Sequence, residues 1–315
     1  MNIQEHHIDP HTEKQVSYFQ IARHILQFVH PPEVDLDRCL PSFSSFVVEP
    51  ILEPAMLSVE LTTRAAPADD PDTKLLSDIS VIWEERFRFE ETSDHYVTTI
   101  LAGVDERPWK MISTKDFKHS VIYAQADELY TTFKAAWLLM IAFGQAGLQH
   151  QTILLHASVV ERNGVGYAFL GKSGTGKSTH SRLWVKHIEG TQLMNDDNPV
   201  VRVYDNAEVF IYGTPWSGKT PCYKPIEAKL GAVVRLEQAP YNKLQWQKAK
   251  EALIALLPSG SAIRWNPELF DSMLKTLEVI IQGVPIGYLR CLPDRDAAAL
   301  CFAKILEYKA ASASS

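Results

Sequence analysis

The sequence predicts a mixed α/β, or α+β, fold in two parts, and three features predict it. An apolar strand at 165–170 runs into Gly171-Lys-Ser-Gly-Thr-Gly-Lys-Ser178 and then into a helical stretch ending near Ile188. Hairpin signals flank this unit on both sides: Asn163-Gly164 separates the apolar runs 156–161 and 165–170, and Asp205-Asn206 separates 200–204 from 208–212. The unit therefore belongs to a mixed, antiparallel-rich sheet, not to the parallel sheet that crossover helices build. The third feature is a run of strand-like segments between about Phe46 and Ala124, which makes the N-terminal half a β-rich domain.

Taken in order, Gln15 to Val29 reads as a short helix, with Val16, Phe19, Ile21, Ile25 and Phe28 apolar. His6, His7 and His11 lack a carboxylate or cysteine cluster and read as a solvated tail. Strands are expected at Leu57–Leu61, Ile79–Phe89, Tyr96–Ala102, Trp109–Ile112 and Ser120–Tyr123. The segment Ala65 to Thr73 is a loop, and its Asp69, Asp70 and Asp72 read as solvated. Asp127 is placed to cap a helix running to about Ala146. That helix has an uninterrupted apolar core only from Ala135 to Phe143, whereas a membrane span needs about twenty residues, so it reads as buried. A composition shift near residue 150 divides the chain into 1–149 and 150–315. In the second part, a strand is expected at Ala232–Leu236, helices at Gln247–Leu257 and Pro267–Gln282, a strand at Ile286–Leu292 and a helix at Asp296–Tyr308. Asn266 and Pro267 form a helix start, and Ala310 to Ser315 reads as a frayed tail.

The chain has 315 residues, long enough for two domains without covalent staples, and a formal net charge of −7. That balance excludes a general nucleic-acid binder, which needs a basic face. The four cysteines are widely spaced, and the N-terminus carries no apolar leader, so reduced thiols and a cytoplasmic location are expected, with no membrane partner.

Against the acidic whole, residues 171–190 hold Lys172, Lys177, Arg182 and Lys186 against the single Glu189. The loop matches G-x-x-x-x-G-K-[ST], in which glycines let backbone N–H groups close on phosphate oxygens at a helix N-terminus. Its nucleotide-binding set is Gly171, Ser173, Gly174, Thr175, Gly176, Lys177, Ser178 and Thr179. Lys177 would bridge the outer phosphates and Ser178 would place its hydroxyl on Mg²⁺. Downstream, Asn195-Asp196-Asp197-Asn198 follows a short strand, Thr191–Met194. Phosphoryl transfer needs one carboxylate for Mg²⁺ and another for the attacking hydroxyl's proton, and adjacent strand residues face opposite ways. An Asx turn ahead of Pro199 is the structural alternative. If the hairpin around Asn163-Gly164 pairs as expected, His156 lies beside the start of the loop. Gly213, Pro215 and Gly218 constrain a loop in which Trp216 and Lys219 could grip a substrate, a packed turn being the alternative. Arg202 and Arg235 are weaker phosphate candidates, since strand arginines usually face solvent.

His156-Ala-Ser-Val-Val, the glycine loop through Thr179, and Asn195-Asp-Asp-Asn198 together resemble the kinase core of bacterial HPr kinase/phosphorylase. The order and spacing are also similar to phosphoenolpyruvate carboxykinase. The resemblance covers about residues 150–235. It implies a P-loop kinase core that uses ATP and Mg²⁺ to phosphorylate a seryl hydroxyl, with Asp196 as general base and Asp197 associated with the metal. It also implies His156 beside the phosphates, with Lys177, Ser178 and Thr179 making the loop contacts. Members of that family assemble as oligomers, so a homo-oligomer is a further partner to look for. The first 150 residues do not match that family's regulatory domain. Tyr212-Gly-Thr-Pro-Trp-Ser-Gly-Lys-Thr-Pro221 stands where its substrate-recognition signature is expected. The acceptor, a protein, peptide or small molecule, is therefore left open. A nucleotide-binding accessory module without transfer and a carboxykinase-like lyase are the competing readings.

Overall fold

A computed structural model describes residues 14–50, 53–68, 70–82, 85–101, 107–218 and 220–313. The chain divides into two units, one ending at Ala146 and the other beginning at Gly147. His6, His7, His11, Asp69 and Lys219 lie outside the described residues.

The first unit opens with a hairpin where the sequence predicts a helix. β1 (Gln15–Ile21) pairs antiparallel with β2 (His24–His30), Ile21 opposite His24. The two turn residues, Ala22 and Arg23, both take positive φ, 51° and 58°, the twist that tight hairpins require. No glycine or asparagine marks that turn, so two period-two strands read together as one helical stripe. Within each, burial alternates: Phe19 and Ile21, then Leu26, Phe28 and His30.

A short helix, α1 (Leu36–Cys39), is capped by Asp35 and leads to β3 (Val47–Val48). Then follow β4 (Leu57–Thr62), β5 (Lys74–Ile82), β6 (Glu85–Glu91), β7 (His95–Ile100), β8 (Trp109–Thr114) and β9 (His119–Tyr123). Among the described residues these strands form one mixed sheet in the order β3-β1-β2-β4-β9-β8-β7-β6-β5. The expected single strand 79–89 is in fact the facing ends of β5 and β6, which pair antiparallel. α2 (Lys134–Ala146) closes the unit and starts later than expected, so Asp127 does not cap it. Instead the Glu128 carbonyl accepts from the backbone of Thr131 and Thr132. Its carboxylate accepts from Trp109 Nε1 at 2.8 Å and from the buried Lys134 Nζ at 2.6 Å, tying the helix start to β8. α2 is buried almost all round, as an all-apolar helix must be in water. No helix of the described residues is long and apolar enough to cross a membrane.

The second unit contains β10 (Thr152–Leu154), β11 (Ala157–Arg162), β12 (Val165–Leu170), α3 (Lys177–His187), β13 (Thr191–Asp197), β14 (Val200–Val203), β15 (Val209–Tyr212) and β16 (Glu227–Gln238). β17 (Lys243–Gln247), α4 (Lys250–Leu256), α5 (Pro267–Gly283), β18 (Ile286–Cys291) and α6 (Arg295–Ala313) complete it. The sheet runs β10-β14-β15-β16-β12-β11-β13, with β18 on β16 and β17 on β18. β12–β16 and β16–β18 are parallel and the other pairs antiparallel, so the sheet is mixed. β10 bends into β11, β13 bends into β14, and the pairing continues through both bends, with Leu155 N donating to Pro199 O at 3.0 Å. The ladder therefore returns onto itself.

Two C-terminal expectations are corrected. Residues 243–247 alternate Lys, Gln, Gln with Leu244 and Trp246, which pack toward the core; this stretch is a strand, and the helix starts only at Lys250. α6 continues to Ala313, carried by alanine's high helix propensity in the segment expected to fray.

α3 packs on the sheet through Trp184, fully buried among Tyr167, Phe169, Val234 and Ile305. Trp184 Nε1 donates to His180 Nε2 at 3.0 Å, and His180 meets Phe169 edge-on with ring centroids 4.7 Å apart. Burial pushes the His180 imidazole down to about 4. The Ser158 and Ser181 hydroxyls, 2.6 Å apart, tie β11 to the same helix. Outside the sheet, the segment after Gly213 returns along β13. Cys222 Sγ contacts Met194 O at 3.3 Å and Lys224 Nζ donates to Leu193 O at 2.9 Å. A Cβ at Gly213 would lie 2.1 Å from Lys224 O, so this crossing admits no side chain.

Gly213→Ala is therefore expected to cost about 2–3 kcal/mol, through overpacking against backbone. Gly164→Ala, in open space at φ 77°, costs only about 1 kcal/mol of left-handed strain. Urea midpoints of the two variants check the order. A second expectation concerns pH. Between pH 6.5 and 4 the unfolded chain holds a proton on His180 that the folded chain rejects, so stability falls as pH drops through that window. The loss reaches about 3 kcal/mol at about 1.4 kcal/mol per pH unit. Denaturation at pH 7 and pH 4.5 should show wild type losing more than His180→Asn.

Candidate functional site

The loop from Gly171 to Gly176 joins β12 to α3, so a strand end and a helix start hold it at both sides. Gly174 and Gly176 have φ of 80° and 102°, and a Cβ on either would meet nothing within 4 Å. Both glycines thus border open space. Gly176 is the helix N-cap and supplies no side-chain hydrogen bond, and no acidic residue occupies the first turn. An N-terminus of this kind favours an anion through its amides and its partial positive charge. Ser173 is exposed, and Ser178 and Thr179 lie in the first turn of α3, half-buried. Within the loop, Thr175 N donates to Lys172 O at 3.1 Å, and the Thr175 hydroxyl donates to the same carbonyl.

Lys177 reaches back across the loop. Its Nζ donates to Gly171 O at 3.1 Å and lies 2.9 Å from His156 Nε2. His156 occupies the bend between β10 and β11, where its backbone N–H donates to Ser259 O at 2.8 Å. The pairing of β11 with β12 puts Ala157 opposite Leu170, which brings this bend to the loop. His156 Nδ1 lies 3.0 Å from Asp197 Oδ1. A lysine ammonium only donates, so Nε2 accepts and the ring proton sits on Nδ1, donated to Asp197. Asp197 Oδ2 in turn accepts from Asn198 Nδ2 at 2.7 Å.

Asp196 pairs with Ser158 and Asp197 with Ala157, so the two carboxylates leave β13 on opposite faces. Asp196 shares its face with Ser158, whose hydroxyl meets α3, and is only 7% exposed. Burial lowers the Lys177 pKa below its ordinary value; Asp197 and then Asp196 oppose this, and Arg235 adds to the lowering. Arg235 stands opposite Leu170 on β16 and donates to Ala255 O at 3.0 Å. Arg202 stacks over Tyr204 instead, 4.8 Å from the ring centroid.

The turn after the aspartates is built by Asn195, which is fully buried. Its Oδ1 accepts from Asp197 N at 3.1 Å and Asn198 N at 3.0 Å. Its Nδ2 donates to Thr214 Oγ1 at 3.1 Å and Trp216 O at 3.2 Å. The Thr214 hydroxyl donates to Asn198 O at 2.7 Å. β13 runs through both aspartates, beyond the expected end at Met194, so the Asx turn and the paired carboxylates coexist. Trp216 is 4% exposed, which is the packed-turn alternative: its ring is not presented as a gripping surface. The structural roles of Asn195 and Thr214 escaped sequence reading, although Asn195 was already in view as turn chemistry.

A cavity of about 600 Å³ opens beside the loop. Gly174, Thr175, Gly176 and Thr179 form one wall; Leu183, Leu236, Pro240, Leu292 and Pro293 make much of the remainder, with His180, Gln238 and Cys291 among them. Gln238 Nε2 donates to Gly174 O at 3.3 Å, joining the end of β16 to the loop. No sequence motif signalled this cavity, because β16 and β18 reach it only through the sheet. Among the described residues no three His, Cys, Asp or Glu side chains converge as a metal cluster.

No family model matches the chain, and no curated protein matches it. Among solved structures, the HPr(Ser) kinase/phosphatase from Coxiella burnetii is similar at 12% identity and a TM-score of 0.32. The match covers 51% of this chain and 93% of that one, and a likeness at this level adds nothing to the site's own geometry.

Proposed function

We propose that the second unit is an ATP-dependent kinase that transfers the γ-phosphoryl group to a hydroxyl, of seryl type, on a protein, peptide or small-molecule acceptor. The observation that carries this reading is the chain of contacts from Lys177 through His156 to Asp197, with Asp196 beside it, at a glycine loop opening a helix. A structural glycine turn has no need of that convergence. The cavity supports the reading, since its volume suits a nucleoside next to phosphates held on the loop.

Phosphates would lie on the amides of the loop and of the first α3 turn, along the open sides of Gly174 and Gly176. Ser178 and Asp197 fit a hydrated Mg²⁺, which commonly takes one or two protein oxygens and completes its shell with phosphate and water. When bound, that ion would neutralise charge on the phosphates. Lys177 leaves His156 for the outer phosphates and stabilises charge on the group in transfer. His156, anchored by Asp197, keeps the ammonium at the loop until then. Asp196 takes the proton from the acceptor hydroxyl as it attacks.

One observation favours a second reading, a nucleotide-binding module without transfer: both Asp197 oxygens and the Lys177 ammonium already have protein partners. Incubation with γ-labelled ATP and cell extract separates the two. Transfer to an extract component that Lys177→Ala abolishes supports the kinase; retained nucleotide without any labelled product supports the module. Asp196→Asn is expected to slow transfer by about 10²–10⁴-fold while nucleotide still binds. Unchanged transfer in Asp196→Asn would remove the proposed base. Lys177→Ala should weaken the triphosphate more than the nucleoside, measured by comparing ATP with adenosine in calorimetric titrations.

A further inference from the structure

The cavity beside the loop has a largely apolar wall, yet one of its wall residues is a buried imidazole. His180 sits in the second turn of α3, is 3% exposed, and has no part in the phosphoryl chemistry above. Its Nε2 accepts the Trp184 indole N–H at 3.0 Å. An indole N–H can only donate, so Nε2 is bare and the single ring proton lies on Nδ1. Among the described residues, nothing accepts from Nδ1. The ring cannot turn to another partner at low cost: Phe169 abuts it edge-on, and Trp184 is locked in the core between Tyr167, Phe169 and Phe302. The result is a neutral donor, oriented in advance, on an apolar wall next to the phosphate loop. A buried donor left unmatched by its ligand carries a desolvation cost, and this makes such a group selective.

We infer that His180 donates its Nδ1–H to an unprotonated ring nitrogen of a purine base seated in this cavity. The inference rests on the nucleotide reading above and names the part of the ligand that the cavity recognises. A largely apolar slot suits the faces of an aromatic base, and a fixed in-plane donor suits a ring-nitrogen lone pair. His180 is thus a specificity-determining residue, and its hold on Trp184 couples the slot to the packing of α3.

The test uses the full chain, Mg²⁺, and the probes ATP, 1-deaza-, 3-deaza- and 7-deaza-ATP, 2′-deoxy-ATP and inorganic tripolyphosphate. In wild type, one deaza analogue should bind about tenfold more weakly than ATP, the effect of one net hydrogen bond. His180→Phe should bind ATP and that analogue alike, and should bind tripolyphosphate as wild type does. Nitrogen-15 imidazole spectra of the unaltered protein give a readout independent of the variant's folding. The His180 Nδ1–H resonance should be present without ligand, move with ATP, and stay in place with tripolyphosphate. Equal binding of ATP and all three deaza analogues would overturn the inference, as would a loss confined to 2′-deoxy-ATP or a resonance indifferent to ATP. Failure of both ATP and tripolyphosphate to bind wild type would instead defeat the nucleotide reading itself, and the inference with it.

Discussion

The buried amide of Asn195 is the constraint on which the site depends. At this position the end of β13 must stop, turn and hand the chain to β14, while a second segment crosses from Gly213 to Trp216. Each strand end carries backbone groups that water cannot reach, and unpaired they would cost about 1–3 kcal/mol each. The asparagine side chain has acceptor and donor on one rigid plane. Its oxygen takes two backbone N–H groups of the aspartate turn, and its nitrogen meets the crossing segment. Aspartate could supply only the acceptor half, and leucine neither.

With that turn held, the remaining order follows from the sheet. The continuous pairing through the bends at His156 and Pro199 brings two strand breaks together. His156 stands at the bend and Asp197 leaves β13 on the face opposite Asp196, so those two side chains can meet while Asp196 shares the face of Ser158, whose hydroxyl meets α3. The helix is fixed from its other side by Trp184, His180 and Ser181. Lys177 therefore starts from a fixed position, and its ammonium is held by His156 Nε2 and Gly171 O. Burial weakens its charge while the two aspartates restore it.

Much of this was legible in local sequence. The loop motif needs glycine wherever backbone must face an anion, and Asn163-Gly164 adopts the positive φ that a two-residue hairpin demands. Pairing across that hairpin was enough to bring His156 to the loop. The N-terminal hairpin was hidden for the converse reason: Ala22-Arg23 makes the same kind of turn with residues that carry no turn signal. The strand at 243–247 was missed because a period-two run of five residues is too short to compete with a neighbouring helix.

By itself the sequence determined the strand–loop–helix unit, the mixed character of its sheet, and the nearness of His156 to the loop, because each of these follows from local propensity or from pairing across a short turn. Only the tertiary structure decided that Trp216 is packed away, that Asn195 and Thr214 hold the aspartates, and that β16, β18 and α3 line a cavity with the buried His180 in its wall. Those outcomes depend on contacts between segments far apart in the chain. Whether a polar or aromatic side chain is a ligand, a strut or a core filler is settled by which distant surface it meets.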